Sequence, residues 1–333
     1  MRIGAPSPTR LQPLLVGLIA ALIAAPASAQ ESARGLAQHT IEAVATISIL
    51  GDLVRNIGTD RVNVTTLVGP NGDAHVYSPT PGDVRKLAAA DVIFVNGLGL
   101  EGWMTRLVKT SGTKALTVTV SDGITPRQTE DARDATRMKI DPHAWQAIAN
   151  AEIYVENIRD ALSEVDPAGK AVYAANAAAY LGKLDALHNE VTAAIAKIPA
   201  DRRKVIITHN AFGYFSDAYG LTFIAPQGVS TEAEPSAMDV AKIIALIRTQ
   251  KIPAVFLENI SDRRLMDEIA RETGAAIGGK IYSDALSEPD GPAATYIDMM
   301  RHNVHEFTKA LLGREGRYTL DPAPTVLATR QGF

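Results

Sequence analysis

The chain has 333 residues, 46% of them apolar, with 37 acidic against 33 basic residues, a formal charge of −4 and no cysteine. An acidic balance argues against nucleic acid and anionic lipid as partners and suits a small cationic ligand. Without cysteine there is no disulfide and no thiol to carry a lipid, which predicts a soluble mature protein.

At the start, Arg2 and Arg10 precede an uncharged apolar run at 14–25, and Pro26-Ala27-Ser28-Ala29 brings small residues directly after it. The run is shorter than the roughly 20 residues that span a bilayer. Residues 1–29 therefore read as a signal peptide cleaved after Ala29, whose removal takes the charge from −4 to −6. The predicted location is the periplasm, with no lipid anchor. What remains, at roughly 100 to 200 residues per domain, predicts two domains.

Apolar, β-branched runs then recur at 41–49, 62–68, 91–96 and 115–120, and again at 204–208, 221–225, 254–257 and 275–282, with helical stretches between. Parallel strands covered on both faces read as continuous apolar runs, as Val92-Ile93-Phe94-Val95 does, so each group of four predicts a small parallel sheet. The fold class is α/β, in two small lobes. Between the groups, Asp166-Pro167 reads as a helix start, and Ala171, Ala174, Ala177, Leu181, Leu184, Leu187, Val191 and Ile195 keep a helical spacing up to Pro199. At about 1.5 Å per residue this helix spans on the order of 48 Å, enough to serve as a stiff connector. The expected division is a lobe at 30–165, the helix at 166–199 and a second lobe at 200–333.

Three histidines fall in loops or at strand ends: His75 in Asp73-Ala74-His75-Val76-Tyr77, His143 in Asp141-Pro142-His143-Ala144-Trp145, and His209 in Thr208-His209-Asn210-Ala211-Phe212. Asp284, in Tyr282-Ser283-Asp284, follows another strand. Ligands of open α/β sheets bind beyond the carboxyl ends of strands, so these four suit one cleft. Three imidazoles and a carboxylate fit Zn²⁺, whereas Mn²⁺ favours more oxygen. Intervals of roughly 60 to 75 residues match no compact zinc motif, and a single histidine is more often an ordinary hydrogen-bonding group, so spacing alone leaves both readings open.

These segments, together with Ser78-Pro79-Thr80-Pro81, Gly213-Tyr214-Phe215 and Ile281-Tyr282-Ser283-Asp284-Ala285-Leu286, resemble in order the ligand loops of the cluster A-I (cluster 9) substrate-binding proteins of zinc and manganese ABC importers. The resemblance covers nearly the whole mature chain. It implies two lobes joined by a rigid helix, with metal held by His75 and His143 from the first lobe and His209 and Asp284 from the second. Manganese-type members often carry Glu where His209 stands, so the resemblance is to the zinc type, with Zn(II) as cargo and Mn(II) as the alternative. It also implies an ABC permease as partner and transport rather than catalysis. Zinc-type members often have a His-rich loop in the first lobe, and 125–139 contains no histidine. A separate periplasmic zinc donor protein would fill that gap. Nothing requires an oligomer, and a monomer is expected.

Glu258, ending the strand run at 254–257, is placed to accept a hydrogen bond from a ligand imidazole. Trp103, Trp145 and Tyr214 are expected in core packing, with walls of the site as the alternative. His302 and His305 share a helix face at the surface, and His39 and His188 are expected in solvent. A zinc hydrolase is the competing class, but H-E-x-x-H is absent; a surface adhesin is a further one. Release is expected through local movement of 71–73, eased by Gly72, or of the loop near Asp284. Because imidazoles bind metal only when neutral, affinity should fall as pH drops through about 6.5.

Overall fold

The computed structural model of the protein describes residues 1, 4, 40–131 and 134–312. The expected signal peptide therefore lies outside the described residues except for Met1 and Gly4, and His39 lies outside them as well. In order the chain forms β1 (Ile41–Ile47), α1 (Ser48–Gly58), β2 (Val62–Val68), α2 (Pro81–Ala89), β3 (Val92–Val95), α3 (Met104–Ser111), β4 (Leu116–Thr119), β5 (Gln128–Asp131), β6 (Asp134–Ile140) and α4 (Ile148–Val165). There follow α5 (Lys170–Ala196), β7 (Lys204–Ile206), α6 (Gly213–Tyr219), β8 (Thr222–Ile224), α7 (Ala237–Gln250), β9 (Ala254–Glu258), α8 (Arg264–Thr273), β10 (Ala276–Ile281) and α9 (Tyr296–Leu312).

The eight predicted strands make two parallel four-stranded sheets, ordered β2-β1-β3-β4 and β10-β9-β7-β8. The apolar run at 41–49 divides within itself: the strand stops at Ile47 and α1 begins at Ser48. Every residue from 43 to 54 is buried, so no change of hydrophobic period marks the junction. β5 and β6 form an antiparallel hairpin, pairing Gln128 with Ile140 and Thr129 with Lys139, where a plain loop was expected. Arg137-Met138-Lys139-Ile140 alternates charged and apolar residues, a short strand-like period, but residues 136–140 are all exposed, so no core face reinforces it. Backbone pairing holds it, and the Arg127 N–H donates to the Tyr214 hydroxyl at 2.8 Å to fix its base.

α5 has 27 residues and is entered through a 3₁₀ turn at Pro167–Gly169, where the Asp166 side chain accepts from the Gly169 N–H. Its inner stripe is Tyr173, Ala177, Tyr180, Leu184, Leu187 and Val191. Ala171 and Ala174, expected on that stripe, face outward, because the two tyrosines take the buried positions. Tyr173 keeps its polar tip satisfied, donating its hydroxyl to Asp166 at 2.7 Å. The helix packs on α1, α4 and α9.

One apolar core runs without a break from Ile41 in β1, through α4 and α5, to Phe307 and Leu311 in α9. A smaller one, around Ile206, Ile247, Val255 and Ile269, lies between the second sheet and α7 and α8. The segment after β10 is stitched to the first lobe. Leu286 N–H donates to Ser48 Oγ at 2.9 Å, Tyr296 N–H to Asp52 Oδ2 at 2.8 Å, and the Tyr296 hydroxyl to the Trp145 carbonyl at 2.7 Å. The Asn71 N–H returns a bond to the Leu286 carbonyl at 2.9 Å.

Candidate metal centre

His75 sits in the loop after β2, His209 in the loop after β7 and Asp284 in the loop after β10, each beyond the carboxyl end of a parallel strand. His143 follows the antiparallel strand β6 instead. Local chemistry shapes the two loops of the first lobe in the same way. An aspartate two residues before each histidine accepts its backbone N–H: Asp73 Oδ1 from His75 at 2.8 Å, and Asp141 Oδ1 from His143 at 3.0 Å. Trp103 Nε1 then donates to the Ala74 carbonyl at 2.9 Å, and Asn96 Nδ2 to the Pro142 carbonyl at 2.9 Å. In the second lobe the supports are remote in sequence. Glu258 Oε1 accepts the N–H groups of Thr208 at 2.7 Å and His209 at 2.9 Å. Trp145 Nε1 and Gln146 Nε2 donate to the Ser283 carbonyl at 2.9 and 2.8 Å.

The four predicted groups meet. Their candidate ligand atoms all lie within 4.8 Å of one another, and this is the one such cluster of three or more metal-binding groups among the described residues. His143, His209 and Asp284 are fully buried and His75 is 9% exposed. Nε2 of His75 is 3.3 Å from Nε2 of His143 and 3.1 Å from Asp284 Oδ2. Nε2 of His209 is 3.3 Å from Oδ2, and Nε2 of His143 is 3.5 Å from Oδ1. An ion bound tetrahedrally at about 2.0–2.1 Å sets its donors roughly 3.3–3.4 Å apart, so these separations match the edges of one coordination polyhedron. Both Asp284 oxygens and His209 Nε2 are buried without a hydrogen-bond partner, a costly condition that a central cation removes.

The outer nitrogens of two rings meet carboxylates. His143 Nδ1 is 2.8 Å from Asp141 Oδ1, and His209 Nδ1 is 2.6 Å from Glu258 Oε2, close in distance though out of line for a good hydrogen bond. Carboxylates there favour the Nδ1–H tautomer and turn the Nε2 lone pair to the centre. Burial lowers the His143 pKa, but Asp284 and Asp141 outweigh it and raise it to about 9. Burial likewise opposes protonation of His209, and Glu258 and Asp284 together lift it well above the usual imidazole range. Burial would raise the Asp284 pKa, and the two facing imidazoles drive it well below the carboxylate range instead. The facing charges thus favour protonated imidazoles around Asp284, so a metal ion bound there would compete with protons.

Glu258 lies against the His209 ring, out of line for the hydrogen bond expected of it, and accepts two backbone N–H groups, which the sequence reading did not foresee. Asp141 was missed; its signal was its place two residues before His143. Trp103, Trp145 and Tyr214 are buried, and each also spends its polar atom on a ligand-bearing loop: Tyr214 accepts from Arg127 and donates to the Asp141 carbonyl at 3.2 Å. His188 is half-buried against Tyr219 rather than in open solvent, with the rings 5.6 Å apart. His302 Nε2 lies 2.8 Å from the Lys280 carbonyl, and neither it nor His305 joins a metal-type cluster.

Two lobes on a long helix, closing over one buried nest of imidazoles and a carboxylate, define an extracytoplasmic substrate-binding protein for metal ions. Residues 43–310 match the family model for the periplasmic zinc-uptake complex component A, and the chain belongs to this family, the metal-binding components of ABC transporters. The chain is 35% identical, over 88% of its length and 96% of the relative's, to the manganese-binding lipoprotein MntA of Halalkalibacterium halodurans. It is 36% identical to the iron-binding protein YfeA of Yersinia pestis, over 80% of this chain and 85% of that one. The structure superposes on the periplasmic zinc-binding protein TroA of Treponema pallidum with a TM-score of 0.77 and 32% identity, covering 82% of this chain and 99% of that one. The family consists of transport components, not enzymes, and its partner is the membrane part of an ABC transporter.

One expectation is overturned here. The predicted absence of a lipid anchor conflicts with the relatives, since the Halalkalibacterium protein and streptococcal ones at 32–33% identity are named lipoproteins. That expectation read anchoring from a single residue type, and anchored proteins stand within the family itself. An extracytoplasmic location is what the relatives support.

Proposed function

We propose that His75, His143, His209 and Asp284 are the ligands of one divalent transition-metal ion, that the cargo is zinc, and that the chain delivers it to the permease of an ABC importer. The observation that carries this reading is the buried set of three nitrogens and one carboxylate at separations of 3.1 to 3.5 Å. Three imidazoles and one carboxylate are zinc chemistry, and four protein groups suffice to surround a tetrahedral ion, which suits carriage. The second reading, manganese, draws on the name of the Halalkalibacterium relative. The reading extends to a lobe at 30–165, the connector at 166–199 and a lobe at 200–333 following a cleaved segment 1–29, and to a monomer. A separate zinc donor protein takes the place of a His-rich loop, since the hairpin at 128–140 has no histidine.

Affinity alone does not separate the two cargoes, because a nitrogen-rich site binds Zn²⁺ more tightly than Mn²⁺ whichever it carries in the cell. The test is uptake of radiolabelled zinc and manganese by cells with the gene deleted and restored, beside a strain carrying His209→Ala. Zinc uptake that depends on the gene and fails with the variant supports the reading. Dependence of manganese uptake alone assigns the cargo to manganese, and dependence of neither removes the transport reading.

A further inference from the structure

We infer that Thr231 is a positioning residue for metal retention, acting through Asp73 on His75; this rests on the ligand set proposed above. The three imidazoles are not secured alike. His143 and His209 have carboxylates at their outer ring nitrogens, whereas among the described residues no side chain pairs with Nδ1 of His75. His75 is held through its backbone, by the Asp73 Oδ1 that accepts its N–H at 2.8 Å. The other oxygen of that carboxylate reaches across the cleft. Asp73 Oδ2 accepts the Thr231 hydroxyl at 2.6 Å, a bond between residues 158 positions apart. Hydroxyl-to-carboxylate bonds of this length are among the stronger neutral-to-charged hydrogen bonds.

Thr231 belongs to the segment 226–236 between β8 and α7, and the same segment is tied to a second ligand. Gln227 pairs with His209 in an isolated parallel bridge, and the Asn210 N–H donates to the Gly228 carbonyl at 3.0 Å. The Gln227 side chain also donates to the Ala233 carbonyl at 2.8 Å, so the strap is internally braced. It therefore joins His209 in one lobe to the His75 loop in the other. A cavity of about 480 Å³ opens beside it, lined by His75, Pro142, Val229, Ser230 and Glu232. Of the four ligands only His75 borders this space, so an ion leaving toward it passes His75. Freeing Asp73 from Thr231 loosens the one candidate imidazole that has no carboxylate at its outer nitrogen and lies on that route.

The experiment measures dissociation of Zn²⁺ into excess chelator by stopped flow for the full chain, T231V and T231S, with Co²⁺ absorption spectra as a reading of the coordination sphere. T231V is expected to release zinc about tenfold faster, the size of a lost hydrogen bond to a charged group. Its cobalt spectrum should be unchanged, and T231S, which keeps the hydroxyl, should release within twofold of wild type. A T231V rate within twofold of wild type overturns the inference. So does an altered T231V cobalt spectrum, or a T231S rate as fast as that of T231V. Failure of the unmodified chain to bind zinc or cobalt would instead remove the ligand assignment, leaving the two failures distinct.

Discussion

In the first sheet β1 pairs with β2 from Ile41↔Val62 to Ile47↔Val68, whereas in the second β7 meets β9 at the pair Ile206↔Val255 and β10 shifts register between Ile277 and Lys280. The first sheet shares the large core with the helices around it, and part of the second has a small core of its own. The ligands follow the same division. His75 and His143 are set by an aspartate two residues away, a device that works within one loop. His209 depends on Glu258, about 50 positions along the chain, and the Asp284 loop on Trp145 and Gln146, from the other lobe. Where the sheet is thin, distant side chains take over the placing of the ligands.

The comparison breaks most sharply at Glu258. Glu258→Ala removes the acceptor for two buried N–H groups and the partner of the His209 ring, so zinc affinity should fall about 100-fold, the upper end for the partner of a metal ligand. Two unsatisfied donors should also cost about 2–4 kcal/mol of stability, checked by urea unfolding of the metal-free protein. An affinity loss no larger than that of Asp141→Asn, measured by competition with a chelator, would show that the two halves of the site are supported equally.

Acidity comes next. Because His143 titrates at about 9 in the metal-free centre, protons compete with the cation through neutral pH. Zinc affinity should therefore keep rising beyond pH 6.5 and up to about pH 9, by up to tenfold per pH unit for each proton displaced. Calorimetry in buffers of different ionisation enthalpy counts those protons. For the metal-free protein the sign is reversed. The raised pKa contributes stability that is fully present below about pH 6.5 and is lost as pH rises through 9, so melting temperature should decline across that window. Saturation with zinc should abolish the decline.

The smallest effect on affinity sharpens the picture of the cross-lobe clasp. Trp145→Phe keeps an aromatic ring smaller than the indole and deletes one of two donors to the Ser283 carbonyl. Gln146 still holds that carbonyl, so the affinity loss should be about tenfold, while the lost bond and the space left by the indole together should cost about 2–3 kcal/mol of stability. Equal losses of affinity in a Gln146→Leu variant would assign the two donors equal weight.

What the sequence made legible follows the range of the interactions. The inner strands β1, β3 and β9 were readable because burial on both faces leaves a nearly continuous apolar run, the more exposed strands β2, β4 and β8 through their β-branched residues, and the long helix because its period persists for many turns. The hairpin at 128–140 was not, since its only strand-like alternation, around Met138 and Ile140, is four residues long and exposed rather than turned to a core. The four candidate ligands stood out through their motifs, and Glu258 through its strand end. Asp141 was within reach as a local Asp-x-His pattern. The Trp145–Ser283 and Thr231–Asp73 bonds span 138 and 158 positions, and nothing local in either segment names the other.

The stitching between lobes carries a consequence for emptying the site. Four hydrogen bonds, at Ser48, Asp52, Asn71 and Tyr296, tie the two halves together. None of these bonds involves a candidate ligand side chain, so they resist separation of the halves whether or not an ion is held. A vessel of that kind has no spring of its own: what it gains by filling, it must give back on emptying. Separating the halves would break these bonds, and docking on the membrane partner is where that loss can be offset.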